Sequence, residues 1–229
     1  MVESAGTFVK QYCLLIFDLD GTLLDTSEGL MRAFRKTLTA NGLPVKSDAS
    51  LRAAIGPPFY QFLRETYPKL PERETIRLTD EFRRTYVEDG DLFRASLYPG
   101  VLETWELLRA RGYTLAVATN KRQDQAVSIL TRFGFDRYST HLYGTDYANK
   151  MKKADVIRRC LHETGTAAEA AVMVGDTLGD AAGAEAVGID FVGVCYGFGF
   201  RTAEDVTRCK NAIASVEKTT DLLDYFRRE

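Results

Sequence analysis

The feature that most constrains this chain is the apolar run Tyr12-Cys13-Leu14-Leu15-Ile16, which stops at once on Phe17-Asp18-Leu19-Asp20-Gly21-Thr22. A short run that is apolar on both faces reads as a strand buried inside a sheet, here one that carries two carboxylates to its carboxyl end. Open α/β sheets place their chemistry at that edge. Two aspartates so close repel each other, so they ionise together only with a cation between them; otherwise one of them keeps a proton. The opening strand therefore asks for a metal ion.

The next seventy residues read as helical. Asp25-Thr26-Ser27 supplies capping oxygens, and Leu30, Phe34 and Leu38 recur at helical spacing, which predicts a helix over Ser27–Ala40 stopped by Asn41-Gly42. Leu51, Ala54 and Ile55 predict a second, short helix that ends before Gly56-Pro57-Pro58, where paired prolines exclude helix. A third begins at Phe59, and a longer one covers Glu72 to Val87 with Leu78, Phe82 and Tyr86 on one face. No strand pattern occurs between Ser27 and Phe93.

From Tyr98-Pro99-Gly100 onward the pattern changes. Strands are expected at Tyr113–Ala118, His141–Gly144, Ala171–Val174, Phe191–Val194 and Asn211–Val216, with helices between them and a terminal helix through Leu222–Phe226. Alternation of this kind predicts right-handed βαβ units. The expected fold class is α/β: a Rossmann-like parallel sheet flanked by helices, formed by residues 1–25 and 97–229, with an inserted all-helical cap domain at residues 26–96.

Parallel strands present their carboxyl ends on one edge, so this topology brings together Asp18 and Asp20, Thr119 and Asn120, the lysines before the helix at Ala154, and Asp176 with Asp180. Carboxylates with room for water suit a hard cation such as Mg²⁺. A lysine, a hydroxyl and backbone amides suit a phosphate. Taken singly these signals are bland, since Asp-x-Asp and Thr-Asn are ordinary turn chemistry. Their weight lies in occurring together and in this order.

On those residues the chain resembles the haloacid dehalogenase superfamily, in its phosphoglycolate phosphatase-like branch. The matching segments are Asp18-Leu19-Asp20-Gly21-Thr22, Thr119-Asn120, Lys153 of Lys153-Ala154-Asp155-Val156, and Gly175-Asp176-Thr177-Leu178-Gly179-Asp180. The resemblance implies a nucleophile at Asp18 that forms an aspartyl-phosphate, with Asp20 as general acid and then base. It also implies Mg²⁺ held by Asp18, the Asp20 carbonyl and Asp176, with Asp180 supporting them. Thr119, Asn120 and Lys153 would bind the phosphoryl oxygens, Lys152 being the alternative to Lys153. Relatives that dehalogenate lack the second aspartate, and the phosphonatase-like branch replaces it; that branch also uses a cap lysine, for which Lys36, Lys46 and Lys69 are the cap's supply. Asp20 and Thr22 favour phosphate ester hydrolysis. A β-phosphoglucomutase-type phosphomutase and a non-catalytic phosphate-binding regulatory module are the rival readings.

By the same resemblance, the helical insertion would be a small cap that closes over the ester and sets specificity. Gly56, Pro57 and Phe59 form its substrate-facing loop in that reading, and Arg52, with Arg32 and Arg35, would reach a second anionic group. Tyr196-Gly197-Phe198-Gly199 resembles a stretch shared by nucleotidase-like and phosphoglycolate phosphatase-like relatives.

Composition sets the partners. Thirty Lys and Arg against 32 Asp and Glu leave a net charge of -2 in 229 residues, so there is no bulk basic field for a nucleic acid polymer and no polybasic membrane tail. The expected partner is a small phosphorylated metabolite, and the expected assembly a monomer or homodimer. Cys13, Cys160, Cys195 and Cys209 form no C-x-x-C pair, and Cys13 and Cys160 read as small core residues. His141 and His162 stand apart, which gives a histidine-bound metal little support. Met1 to Gln11 has no apolar h-region and no stretch nears the ~20 residues of a membrane span, so a cytoplasmic location is expected.

Overall fold

The computed structural model describes residues 11–147 and 150–227. The first ten residues and Asn149 of the lysine-rich segment lie outside them. The chain opens with β1 (Leu14–Phe17), then a two-residue β2 (Leu24–Asp25). Four helices come next: α1 (Ser27–Ala40), α2 (Asp48–Ala53), α3 (Phe59–Thr66) and α4 (Glu72–Glu88). A two-residue β3 (Ser96–Leu97) pairs antiparallel with β2. Thus both passages of the chain into and out of the helical segment are tied in one small ribbon.

Beyond it, α5 (Val101–Ala110), β4 (Thr114–Arg122), α6 (Gln123–Arg132), β5 (Leu142–Thr145), α7 (Lys153–Thr164), β6 (Ala171–Gly175), α8 (Leu178–Glu185), β7 (Asp190–Val194), α9 (Ala203–Thr207), β8 (Ala212–Val216) and α10 (Leu222–Tyr225) alternate. The six longer strands form one all-parallel sheet in the order β5-β4-β1-β6-β7-β8. This is the expected parallel sheet, with β1 central although it is first in sequence.

Alternate residues of β1 divide the core. Leu15 and Phe17 join a large cluster with Trp105, Leu108, Ile129, Leu130 and Phe34, Phe59, Phe62, Phe82 and Tyr86 of α1, α3 and α4, while Leu14 and Ile16 join Val156, Ile157 and Cys160 of α7 and Ala181 and Ala184 of α8. The small side chains of α8 let it lie close on the sheet. Within the helical segment Phe34, Phe59 and Phe82 pack ring on ring, with centroids 4.5 to 5.1 Å apart.

Several sequence expectations need correction. β4 does not stop at Ala118 but continues to Arg122, with a register irregularity between those residues. Thr119 and Asn120 therefore belong to an extended, bulged strand end that pairs Arg122 with Thr145. Cys13 is exposed rather than in the core, because β1 begins one residue later; Cys160 is buried as expected. The β2–β3 ribbon and α9 were not legible: two-residue strands have no periodicity, and α9 has only its Thr202/Asp205 capping box to signal it. Thr26 precedes α1 but does not cap it with its hydroxyl, which serves Asp20 instead; Asp25 accepts the Ser27 amide at 2.9 Å. Among the described residues no helix is long and apolar enough to cross a membrane.

Candidate active site

Strand register assembles the site. Phe17 of β1 stands level with Val117 of β4 and Val174 of β6, so the residues just beyond are Asp18, Ala118-Thr119 and Gly175-Asp176. Asp18 is locked in place by its amide, which donates to the Val174 carbonyl at 2.9 Å. Gly21 turns the chain with φ +86°, and a Cβ there would fall on the Asp176 carboxylate; only glycine lets the loop after β1 pass so close to the end of β6.

Lys153, the first residue of α7, is buried and extends its ammonium under the sheet edge. Its Nζ lies 2.5 Å from Asp18 Oδ1 and 2.7 Å from Asp180 Oδ1, and donates to the Ala118 carbonyl at 2.9 Å. Lys152 is exposed at the helix cap, where its amide donates to Asp155. The lysine at the site is therefore Lys153. Burial lowers the pKa of its ammonium, but Asp18 and Asp180 outweigh that and hold it above the usual lysine range.

Asp176, the residue after β6, is fully buried. Its Oδ2 accepts the amides of Phe198 at 2.7 Å and Gly199 at 3.2 Å, and its Oδ1 the Thr22 hydroxyl at 3.3 Å. Burial first, and Asp180 second, still push its carboxyl up to about 7. Asp180 closes a reciprocal cap on α8: the Thr177 amide and hydroxyl donate to its Oδ2 at 3.0 and 2.7 Å, and its own amide donates to the Thr177 hydroxyl. The Gly-Asp-Thr-x-x-Asp motif thus pairs a buried carboxylate with a helix start that aims a second one at it.

Oxygens of Asp18, Asp176 and Asp180 lie within 4.8 Å of one another. The Lys153 ammonium pairs with two of them, Asp18 and Asp180. Burial, with the neighbouring carboxylates, raises the Asp18 carboxyl well above the ordinary range despite Lys153. Three buried carboxylates against one lysine carry surplus negative charge in a dry place, and an all-oxygen donor set suits a hard divalent cation. These residues fit Mg²⁺. The third carboxylate beside Asp18 and Asp176 is that of Asp180, the residue expected to support them. The Asp20 side chain turns away.

Asp20 faces a different set. Its Oδ1 accepts the Thr26 hydroxyl at 2.6 Å and lies 3.1 Å from Lys121 Nζ. Thr119 is buried, and its hydroxyl oxygen accepts the Lys121 amide at 3.1 Å, so its proton stays available to a phosphoryl oxygen. Asn120 is exposed at the rim, with its carbonyl held by Thr145.

Above the site two adjoining clefts open between the sheet edge and the helical segment. One, of about 510 Å³, contains Asp20, Asn120, Lys121, Arg83 and Arg122 under Phe34, Phe82 and the Gly56-Pro57-Pro58-Phe59 loop. The other, of about 590 Å³, runs from that loop to Thr177, Leu178 and Phe198. Gly56, at φ +114°, rides over Thr177 in a backbone conformation that suits glycine. Phe59 is mostly packed into the aromatic cluster and shows the cleft only its rim. Arg52 donates to Ser27 Oγ at 3.1 Å, lies 3.6 Å from Asp25 and stacks 5.5 Å over Phe198. Arg32 and Arg35 pair with Asp91 and Asp48. The arginines expected to reach a substrate anion are thus engaged within the protein. Sequence reasoning gave no role to Lys121, whose signal was its place directly after Thr119-Asn120.

The carboxyl edge of a parallel α/β sheet thus gathers three carboxylates with one lysine reaching into them. The sequence profile described as haloacid dehalogenase-like hydrolase matches residues 15–194, and the chain belongs to that family. It is 36% identical over 190 residues to a 5′-nucleotidase of Pseudomonas aeruginosa, covering 82% of this chain and 85% of that one. It is 34% identical over 196 residues to a phosphoglycolate phosphatase of Agrobacterium fabrum, covering 81% of each. Among solved structures it superposes on a haloacid dehalogenase-like family hydrolase of Streptococcus pneumoniae with a TM-score of 0.85 at 28% identity, over 94% of this chain and 99% of that one.

Proposed function

We propose that this protein is a Mg²⁺-dependent phosphatase that hydrolyses a small phosphate monoester, phosphoglycolate-like or a nucleoside 5′-monophosphate, through an aspartyl-phosphate on Asp18. The observation that carries the reading is the sharing of one buried site by Asp18, Asp176 and Asp180 with a single ammonium. The names of the relatives support the ester class. Free thiols at all four cysteines suit a cytoplasmic setting.

Asp18, Asp176 and the Asp20 carbonyl would hold Mg²⁺, with Asp180 beside them. Bound there, the ion would supply positive charge to the carboxylates and to the phosphoryl oxygens. Lys153 fixes Asp18 Oδ1, which leaves Oδ2 to attack phosphorus. As the new O–P bond forms, the ester O–P bond breaks and the leaving alkoxide takes a proton from Asp20. Asp20, now ionised, takes a proton from a water that attacks the same phosphorus, and Asp18 is released with inorganic phosphate. Thr119, the Asn120 amide and Lys153 hold the equatorial oxygens. Residues 26–96 act as a cap that excludes bulk water, hinged on the β2–β3 ribbon, with Gly56, Pro57 and Phe59 facing the leaving group and Arg52 holding the closed seat.

The test is phosphate release from a panel of small phosphate esters with Mg²⁺ and again with EDTA. Release that needs the metal is expected. Isomerisation of a sugar phosphate without phosphate release, or hydrolysis indifferent to EDTA, contradicts the reading.

A further inference from the structure

Lys121 is a buried cation with no part in the chemistry above. Its side chain is 5% exposed, and an ammonium in such a place survives only if its neighbours replace water. Two elements supply them: Asp20 Oδ1, from the loop after β1, lies 3.1 Å from its Nζ, and the Tyr86 ring of α4 stands 5.1 Å away, while Lys121 itself sits one residue before the end of β4. The contact thus joins sheet, site loop and cap helix. Asp20 Oδ1 also accepts the Thr26 hydroxyl at 2.6 Å, so both partners of this carboxyl sit on the same oxygen. A protonated carboxyl accepts through one oxygen and donates through the other. Donors crowded on Oδ1 therefore leave Oδ2 as the oxygen for the cleft that Asp20 lines.

We propose that Lys121 is a positioning residue for Asp20: held between the cap's Tyr86 and Asp20 Oδ1, it turns Asp20 Oδ2 toward the leaving-group oxygen. The inference rests on the assignment of Asp20 as the proton donor to that oxygen. It also gives the cap a grip on the acid, because Tyr86 moves with α4.

The test compares kcat/KM for phenyl phosphate, whose leaving group needs the proton, with 4-nitrophenyl phosphate, whose leaving group scarcely does. In Lys121→Met the phenyl ester is expected to lose on the order of 10²-fold, as a misplaced catalytic group does, and the nitrophenyl ester at least about tenfold less. Asp20→Asn serves as the reference and should show the same bias more strongly. Lys121→Gln takes the place of the Met variant if that does not fold, and turnover of the nitrophenyl ester reports an intact site in either. Equal loss for both esters, or loss in neither, while Asp20→Asn stays biased, overturns the positioning role alone. An unbiased Asp20→Asn overturns the acid assignment, and the role of Lys121 falls with it.

Discussion

Lys153 Nζ stands 2.5 Å from Asp18 Oδ1, a contact between the first residue of α7 and the residue after β1 that spans 135 positions of sequence. It fixes one oxygen of the carboxylate and frees the other. Nearly every consequence of this architecture passes through that pair.

Removing Lys153 leaves Asp18 and Asp180 buried without their cation. Lys153→Met is expected to destabilise the protein by about 3–5 kcal/mol in the absence of metal, the range for breaking a buried pair. It should also lower kcat by at least about 10³-fold, of the order lost with an electrostatic stabiliser. Lys152→Met, on the exposed cap position, should stay within about 0.5 kcal/mol of the parent. Urea unfolding with EDTA, beside steady-state kinetics, checks both.

Asp176 gives the pH dependence. Its folded pKa, pushed up to about 7 from an unfolded 3.8, favours the protonated form, so its contribution to the stability of metal-free protein is fully present below about 4 and is lost as pH rises through about 7. Mg²⁺ needs the ionised form, so its apparent affinity should fall as pH drops below about 7, with protons released on binding. Thermal scans in EDTA from acid to neutral pH, and calorimetric Mg²⁺ titrations in buffers of different ionisation enthalpy, measure the two effects. A pH-independent Mg²⁺ affinity on either side of about 7 runs against this account.

Arg52 joins α2 to Asp25, Ser27 and the Phe198 ring, while Phe198 donates its amide to Asp176. The arginine side chain is 43% exposed, so Arg52→Ala should cost less than about 1 kcal/mol in stability. If it seats the cap, KM should rise several-fold with kcat within about threefold, since the loss falls on substrate binding more than on the transition state. A fall in kcat alone would place Arg52 elsewhere in the cycle.

Much of this was legible in the chain itself, for identifiable reasons. β1 and β6 are continuous apolar runs that end on aspartate, and buried parallel strands leave that signature whatever surrounds them. Asp18, Asp176 and Asp180 could be placed on one edge because parallel topology fixes which strand ends meet. The bulged end of β4 was hidden, since Thr119-Asn120 looks like a turn and only pairing with β5 keeps it extended. The partners of Asp20 were hidden too: Thr26 reads as a helix cap, and Lys121 looks like any surface lysine until the fold sets Tyr86 of α4 against it. The ion pairs of Arg32, Arg35 and Arg52 were hidden as well, because their acidic partners Asp91, Asp48 and Asp25 lie on other elements.

The most direct test is to find the covalent intermediate. Enzyme mixed with ³²P-labelled 4-nitrophenyl phosphate and Mg²⁺, quenched in acid within a turnover, should carry label that hydroxylamine removes and that maps to the peptide containing Asp18. Asp18→Asn should carry none, while unfolding as cooperatively as the parent. Phosphate released at the normal rate with no label on the protein, or label on any other residue, contradicts the account.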